Sequence, residues 1–228
     1  MSVAGPRDLA ERDVWVFDLD NTLYPAEHEV FDEIGARMTT FIARLTGFEH
    51  EAARVLREKY FLAYGATVVG VVKHHGASAA DFLSYVHDVS FDAVHADPEL
   101  AGLIERLPGR RIVFTNGARD YAGRILAKLG VTQAFDEVFA LEDADLVPKP
   151  QRGAFERLVA RCAFDPARAV MFEDHDRNLE TAAAMGFATV LVGPPAPPAP
   201  FIHFATSSLH AFLRGLVEPS IDRSAGIA

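Results

Sequence analysis

The sequence predicts an α/β fold in which helices cover both faces of an open, doubly wound, Rossmann-like parallel sheet. Short apolar runs rich in β-branched and aromatic residues recur along the chain, as expected for strands that are buried on both faces. Helical patterns alternate with most of these runs, and such alternation is typical of parallel sheets. One long helical stretch, after the first apolar run, interrupts the alternation.

Five strands are predicted, each from a run of four or five mostly apolar residues. They span 14–17, 111–114, 137–140, 169–172 and 188–192. The first run, Val-Trp-Val-Phe, contains no polar residue, so we expect it to be buried on both faces of the sheet.

Four helices are predicted after the helical stretch, from end signals or from an apolar stripe. They span 98 to about 108, 120–129, 153–162 and 178–185. Asp97 and Pro98 provide an N-cap and a first-turn proline for the first of them. Gly130 and Gly186 follow two of the others, as glycines do at helix ends.

Residues 25–95 break the strand–helix alternation. Apolar residues recur at helical spacing over 30–45, and Gly47 and Gly65 mark predicted helix ends. Ser78 is predicted to cap a further helix. The region is therefore expected to be mostly helical.

We expect two domains and a tail. The α/β core comprises 1–24 and 96–228, and 25–95 forms a small helical domain inserted after the first strand. Within that insert, the β-branched segment 67–72 fits a strand by composition and a helix by context. Residues 219–228 are predicted to be a loose tail.

Composition limits the classes of partner. The 228 residues carry a formal net charge of −10, which disfavours nucleic acid and anionic membranes as partners because both repel an acidic surface. Cys162 is the only cysteine, so an internal disulfide and a cysteine-rich zinc site are excluded. Residues 1–13 lack the apolar stretch of a secretory signal, and we expect a cytoplasmic protein.

Two acidic residues follow the first predicted strand. Asp18 and Asp20 stand at its carboxyl end, the edge at which open α/β sheets bind ligands. A turn that begins at Leu19 would bring both carboxylates towards one site. Like charges this close repel each other, and a divalent cation would relieve the repulsion while taking oxygen ligands.

Three later segments carry matching chemistry. The segment 115–117, Thr-Asn-Gly, offers a hydroxyl, an amide and backbone N–H groups that suit phosphate oxygens. Lys149 stands between two prolines, and Glu173 and Asp174 form a second acidic pair suited to Mg²⁺. Taken singly, each segment is an ordinary turn, N-cap or surface residue. Their order along the chain favours phosphoryl transfer through a carboxylate nucleophile.

These segments resemble, in order, the four motifs of the haloacid dehalogenase-like (HAD) superfamily. The motifs are Asp18-Leu19-Asp20-Asn21-Thr22-Leu23-Tyr24, Thr115-Asn116-Gly117, Lys149-Pro150 and Glu173-Asp174. Further stretches resemble the pyrimidine 5′-nucleotidase group within that superfamily. They are 20–25, 64–67, 81–83 and 85–88. Glu173 stands where many members have aspartate or glycine.

The resemblance implies a phosphoric monoester hydrolase that acts through an aspartyl-phosphate. Asp18 would be the nucleophile, and Asp20 would protonate the leaving oxygen and then accept a proton from water. Lys149, with Thr115 and the backbone of Asn116, would stabilise charge on the phosphoryl group.

The resemblance also implies Mg²⁺ as cofactor. Its ligands would be the Asp18 carboxylate, the Asp20 backbone carbonyl and Asp174, with Glu173 in support. Gly117 would complete the phosphate-binding turn. Whether Glu173 binds the metal directly or through water stays open.

The helical insert would then be a cap that excludes water and selects the leaving group. The implied substrate is a nucleoside monophosphate, with UMP and CMP favoured, and Tyr64, Tyr85 and His74 are candidate contacts to base or ribose. The protein is expected to be a monomer or a homodimer.

Other functions stay open at this point. A sugar phosphate, phosphoglycolate or FMN fits the core motifs equally well as substrate, and a phosphomutase would use the same two aspartates. A phosphoaspartate receiver or a metal-binding module is the non-enzymatic alternative. Asp20 argues against a receiver, because a base that activates water makes a phosphoaspartate short-lived, and a haloacid dehalogenase needs no acid at that position.

Overall fold

The structure, a computed structural model, describes residue 9, residues 11–25 and residues 28–218. The strands are Val14–Phe17 (β1), Arg110–Phe114 (β2), Glu137–Phe139 (β3), Ala169–Glu173 (β4), Ala188–Val192 (β5) and Phe204–Thr206 (β6). They form one sheet in the order β3-β2-β1-β4-β5-β6, and every neighbouring pair is parallel. The predicted doubly wound α/β fold is therefore confirmed, and the predicted tail lies outside the described residues.

The helices alternate with the strands except after β1, where five follow one another. They are His28–Thr46 (α1), His50–Tyr64 (α2), Thr67–His75 (α3), Ala79–Val86 (α4), Pro98–Glu105 (α5), Arg119–Leu129 (α6), Arg152–Cys162 (α7), Asp176–Ala184 (α8) and Leu209–Val217 (α9). Short 3-10 helices lie at Thr132–Ala134, Leu141–Ala144 and Pro166–Arg168. No helix in the described ranges has the length and hydropathy needed to cross a bilayer.

All five predicted strands are present, and their ends lie within one residue of the predicted positions. The sequence reading missed β6 and α9. β6 has only three residues, is half-buried and lies at the sheet edge, so it lacks the long apolar run that marks a central strand.

The core lies on both faces of the sheet, as the apolar strand pattern requires. Trp15 and Phe17 of β1 face one hydrophobic cluster, and Val14 and Val16 face the other. Phe17 stacks on Phe172 of the neighbouring β4, with ring centroids 4.5 Å apart. This packing fixes the register of the two strands whose carboxyl ends carry acidic pairs.

Residues 28–86, which we call the helical insert, contain α1 to α4. The ambiguous segment 67–72 is helical because it packs closely on α2. A Cβ at Gly70 would lie 2.2 Å from the Tyr60 ring, so only glycine allows this approach, and tertiary packing outweighs the β-propensity of the segment. Ser78 caps α4 as predicted, accepting a hydrogen bond of 3.2 Å from the Asp81 N–H.

Candidate active site

A tight turn follows β1 and carries both aspartates of the first motif. The Leu23 N–H donates to the Leu19 carbonyl at 3.0 Å, and Asn21 adopts a left-handed conformation with φ of 61°. Asparagine tolerates this region better than most residues, which favours a turn here. The Asp18 N–H donates to Phe172 O at 2.9 Å, so Asp18 stays anchored to β4 while the chain turns.

Lys149 is the centre of the site. Its Nζ lies 2.6 Å from Oδ1 of Asp18 and 2.8 Å from Oε2 of Glu173, and it donates a third bond of 2.8 Å to the Phe114 carbonyl. Lys149 is only 2% exposed and Glu173 1%. Burial opposes the lysine charge, but the carboxylates of Asp18 and Glu173 together raise its pKa. The ammonium therefore stays charged in the site.

The loop of Lys149 is tied to the second motif by the side chain of Asn116. Its Nδ2 donates to the Lys149 carbonyl at 3.0 Å, and its Oδ1 accepts from the Lys149 N–H at 2.8 Å. Oγ1 of the buried Thr115 accepts from the Gly117 N–H at 2.8 Å. The side chain of Asn116 thus holds the loop, and the predicted phosphate contact of its backbone stays a prediction.

Three carboxylates form an oxygen-rich cluster beside Lys149. Asp18, Glu173 and Asp174 each offer a ligand oxygen, and these oxygens all lie within 4.8 Å of one another. Burial and the Glu173 charge raise the pKa of Asp18 to about 6, against the opposing effect of Lys149. Burial also raises the pKa of Glu173. Hard oxygen donors with uncompensated negative charge fit Mg²⁺.

Both carboxylate oxygens of Glu173 already accept hydrogen bonds. Oε2 accepts from Lys149, and Oε1 accepts from the His175 N–H at 3.2 Å. Asp174 is half-buried.

The Asp20 carboxylate lies between two tyrosines. Oδ1 accepts from the hydroxyl of Tyr24 at 2.6 Å and from the hydroxyl of Tyr121 at 2.7 Å. Burial and the nearby charge of Asp18 raise the pKa of Asp20 to about 6, although both hydroxyls oppose the shift. Asp20 therefore has an environment distinct from that of Asp18, which is bound by an ammonium.

Tyr64 and His74 lie together at one side of the helical insert. The Tyr64 hydroxyl is 2.6 Å from Nε2 of His74, so the two side chains already satisfy each other. The Tyr64 carbonyl accepts from Nε2 of Gln151 at 2.9 Å, which brings the end of α2 to the loop of Lys149. Tyr64 is thus close to the site through its backbone.

Tyr85 lies elsewhere, in a cleft of about 920 Å³ between α4 and α6. The guanidinium of Arg37 lies 4.9 Å from its ring centroid. His87 and Tyr121 also line the cleft, and Tyr121 connects it to Asp20. Asp81, Asp88, Asp120 and Glu142 give it more negative than positive groups, with Arg124 as the cation in the lining.

The sequence reading missed Tyr121, His87 and Gln151. Tyr121 is in the first turn of α6, directly after the Thr-Asn-Gly segment, and that position was the available signal. His87 stacks on Tyr121 with ring centroids 4.4 Å apart, and its Nδ1 is buried without a hydrogen-bond partner among the described residues. His87 lies in the stretch 85–88 that carries the subgroup resemblance, but no role was assigned to it, and nothing in the sequence pattern marks Gln151.

A sequence model of a hydrolase family, the haloacid dehalogenase-like hydrolases, matches residues 13–186. The chain belongs to this family. The match runs from the start of β1 to the end of α8, and it includes strands β1 to β4 and all four motifs. The suspected HAD relationship is therefore confirmed, whereas the pyrimidine 5′-nucleotidase subgroup stays a prediction.

One curated relative matches most of this hydrolase. Phosphate metabolism protein 8 of Saccharomyces cerevisiae is 27% identical over 198 residues, which are 79% of this chain and 61% of the yeast protein. This chain thus spans about three-fifths of that relative's length.

Two solved structures share the fold of this hydrolase. A HAD phosphatase from Thermococcus onnurineus has a TM-score of 0.63 at 17% identity and covers 90% of this chain and 98% of its own. A 2-haloacid dehalogenase from Pseudomonas syringae pv. Tomato has a TM-score of 0.58 at 19% identity, with coverage of 90% and 98%. Because phosphatases and dehalogenases both share it, the fold does not choose the reaction.

Proposed function

We propose that this hydrolase is a Mg²⁺-dependent phosphomonoesterase that acts through an aspartyl-phosphate on Asp18. The observation that carries the proposal is the second carboxylate, the half-buried Asp20, held beside Asp18 by two hydroxyl donors. A dehalogenase needs one nucleophilic aspartate and releases halide, which takes up no proton. A phosphomonoesterase must protonate an alkoxide leaving group, and Asp20 supplies that acid.

In the first step, an Asp18 carboxylate oxygen attacks phosphorus and the bond from phosphorus to the ester oxygen breaks. Asp20 gives its proton to that oxygen, so the alcohol leaves neutral. The Lys149 ammonium, 2.6 Å from Asp18, balances the charge that develops on the phosphoryl group. The backbone N–H of Asn116 completes the phosphate site, because the N–H groups of Thr115 and Gly117 already donate to Phe139 O and Thr115 Oγ1.

In the second step, water attacks the phosphorus of the aspartyl-phosphate. Asp20, now a carboxylate, takes the proton from that water, and the bond from phosphorus to Asp18 breaks to release inorganic phosphate. A pKa of about 6 suits Asp20 to both steps, because its carboxyl group must donate a proton in the first and accept one in the second.

Asp18, Asp174 and the Asp20 backbone carbonyl would hold the Mg²⁺ ion, with Glu173 in support. The three-carboxylate cluster fits a hard divalent cation by donor type and spacing. When bound, the ion neutralises negative charge between the carboxylates and the dianionic phosphate. Lys149 cannot neutralise this negative charge alone, because its ammonium already pairs with two carboxylates.

The helical insert, within the 25–95 region, acts as a cap in this proposal, and the leaving group occupies the cleft between α4 and α6. At about 920 Å³, the cleft has room for a nucleoside. Arg124 donates to the carbonyls of His87 and Val89, so its guanidinium is occupied, and carboxylates dominate the lining. This charge favours a neutral leaving group, such as the nucleoside of UMP or CMP, over an anionic one such as phosphoglycolate.

Phosphate release across a panel of esters tests the proposal. We expect Mg²⁺-dependent hydrolysis of UMP and CMP above purine nucleotides and phosphoglycolate. Asp18→Asn keeps the side-chain shape but removes the nucleophilic charge, and turnover should fall by about a thousandfold or more. Near-normal turnover in folded Asp18→Asn would refute the aspartyl-phosphate, and halide release without phosphate release would support a dehalogenase.

A further inference from the structure

Tyr24 and Tyr121, which we call the tyrosine pair, meet at the Asp20 carboxylate from distant parts of the chain. Tyr24 is in the turn after β1, and Tyr121 lies 101 residues after Asp20, in the first turn of α6. Their hydroxyl oxygens are 3.0 Å apart, and each is within 2.7 Å of the same oxygen, Oδ1 of Asp20. Tyr24 is 5% exposed and Tyr121 1%.

Packing alone does not explain the two hydroxyls of the tyrosine pair. A phenylalanine ring fills the same space, whereas a buried hydroxyl costs free energy unless it finds a partner. Both rings sit among apolar side chains of one hydrophobic cluster, and both hydroxyls converge on a carboxylate. The two hydroxyls thus bond to Asp20, the group that transfers the proton in the proposed function.

Each tyrosine hydroxyl carries one proton and can therefore donate only one hydrogen bond. While Asp20 is a carboxylate, both hydroxyls donate to Oδ1, and Oδ2 is left to carry a proton or to receive one. When Oδ2 is protonated, Asp20 attracts donors less strongly, and one hydroxyl can donate to the other across the 3.0 Å contact. The pair therefore satisfies its own protons in both protonation states of Asp20.

We propose that Tyr24 and Tyr121 are positioning residues that hold Asp20 by Oδ1, so that Oδ2 faces the ester oxygen and delivers its proton there. This inference rests on the proposed phosphomonoesterase function and deepens it. The tyrosine pair acts through Asp20 and forms no bond to the substrate. The bond that breaks is Oδ2–H of Asp20, and the bond that forms is between that proton and the leaving oxygen.

The end of α4 holds Tyr121 in turn. The His87 ring stacks on the Tyr121 ring at 4.4 Å with an interplanar angle of 24°. Arg124, one turn further along α6, donates to the carbonyls of His87 and Val89 at 2.9 and 3.0 Å. The segment that leaves the helical insert is thus bound to the helix that carries Tyr121, and this fixes the hydroxyl on Asp20.

Leaving-group chemistry separates a positioning role from a packing role. p-Nitrophenolate is a weak base and departs without a proton, whereas the alkoxide of UMP needs one. We expect Tyr121→Phe to lower kcat/KM for UMP by about ten- to a hundredfold and that for p-nitrophenyl phosphate by less than about threefold. kcat/KM is the right quantity because it reports the first irreversible step, in which the leaving group departs.

Two further variants make the test decisive. Tyr24→Phe should give the same pattern, and it keeps the proposal testable if Tyr121→Phe fails to fold. Tyr60→Phe is the matched control, because it removes the hydroxyl of another buried tyrosine, and that hydroxyl lies 2.7 Å from Nε2 of His75 rather than at Asp20. It should leave the ratio of the two kcat/KM values unchanged. Thermal unfolding confirms that each variant is folded.

The outcomes distinguish this inference from the proposed function. If Tyr121→Phe and Tyr24→Phe lower kcat/KM for both esters in parallel, or lower it for neither, the tyrosine pair does not position the acid and the inference is wrong. If wild-type protein cleaves neither ester, or Asp18→Asn cleaves both as well as wild type, the proposed function itself fails. A selective loss on UMP, with Asp18→Asn inactive on both esters, supports both.

Discussion

The side-chain amide of Gln151 donates a hydrogen bond of 2.9 Å to the carbonyl oxygen of Tyr64. Tyr64 is the last residue of α2, and Gln151 lies two residues after Lys149. A Cβ at Gly65 would lie 3.1 Å from the Lys149 carbonyl oxygen, so the helix end and the loop are also in close steric contact. The helical insert and the loop that places the ammonium are therefore mechanically connected.

Gly65→Ala should disturb the site through this contact. Gly65 has φ of 83°, so alanine strains the backbone there, and its methyl group pushes on the Lys149 loop. We expect about 1–2 kcal/mol of lost stability from the strain. We also expect kcat/KM to fall by about ten- to a hundredfold, because small misplacements of a site residue are costly. Urea unfolding and ester hydrolysis measure the two effects.

Gly76→Ala is the matched control for that prediction. Gly76 also ends a helix in the left-handed region, with φ of 64°, but a Cβ there would have no neighbour within 4 Å. The strain should be similar while kcat/KM stays near the wild-type value. Equal loss of activity in both variants would show that lost stability, rather than contact with the loop, is responsible.

Asp174→Ala should weaken the binding of Mg²⁺. It removes one of three carboxylates whose oxygens lie within 4.8 Å of one another, and it leaves the Lys149 contacts of the other two intact. The Mg²⁺ concentration for half-maximal activity should rise by at least about tenfold, the loss that even an outer partner of a metal site causes. Titration of chelator-treated protein with Mg²⁺ gives this value.

Asp176→Ala serves as the control for the metal prediction, because Asp176 is exposed in the first turn of α8 and does not belong to the cluster. Its Mg²⁺ requirement should match that of wild type. Full activity of wild-type protein after exhaustive chelation would exclude an essential metal.

The sequence was sufficient for five of the six described strands and for the acidic and basic motifs, because both depend on local patterns. Apolar runs mark buried strands, and the carboxyl ends of parallel strands meet at one edge, so Asp18 and Glu173 were expected together. Tyr121 was not expected, because a tyrosine on the apolar stripe of a helix has the pattern of a core residue. Its contact with Asp20 depends on how α6 packs against the turn after β1, and no local pattern encodes that distance.

Close packing explains the remaining differences between sequence and structure. Helix α3 depends on the close contact of Gly70 with the Tyr60 ring. The burial of His87 depends on how the end of α4 packs against α6. Both are relationships between elements. Neither leaves a periodic signature in its own segment.

His87 should make folding sensitive to acid. Burial, assisted by the Arg124 charge, lowers the pKa of His87 to about 4, whereas an unfolded histidine titrates near 6.5. Between these values the unfolded chain binds a proton that the folded chain does not, so stability is lost as the pH falls. The loss attributable to His87 should be about 2 kcal/mol between about pH 7 and about pH 5.

His87→Phe tests this, because it removes the titrating group and retains a ring to stack on Tyr121. Urea unfolding at the two pH values should show a smaller pH-dependent loss than in wild type. His95→Phe replaces an exposed histidine and should leave the loss unchanged. An unchanged loss in His87→Phe would mean that other groups carry the acid sensitivity.

Substrate ranking should depend on the helical insert rather than on the sheet edge. In the proposed function, Asp18, Thr115 and Lys149 address the phosphoryl group and Asp20 addresses the ester oxygen. All nucleoside monophosphates share both groups, so these residues cannot distinguish one base from another. Tyr85 lines the cleft proposed for the nucleoside, and Tyr64 lies beside the Lys149 loop. We expect alanine at either tyrosine to change the preference for UMP and CMP over purine nucleotides.

The expected size follows from base stacking. A lost stacking contact costs about 1–3 kcal/mol, which corresponds to roughly a ten- to hundredfold change in nucleotide preference. Hydrolysis of p-nitrophenyl phosphate should change much less, because it presents no base and no ribose. The effect should be larger for Tyr85→Ala, since the Tyr64 hydroxyl is already bonded to His74. If kcat/KM falls in parallel for nucleotides and p-nitrophenyl phosphate, the tyrosines support the fold rather than recognise the base. If kcat/KM changes for neither, the base binds elsewhere or the substrate is not a nucleotide.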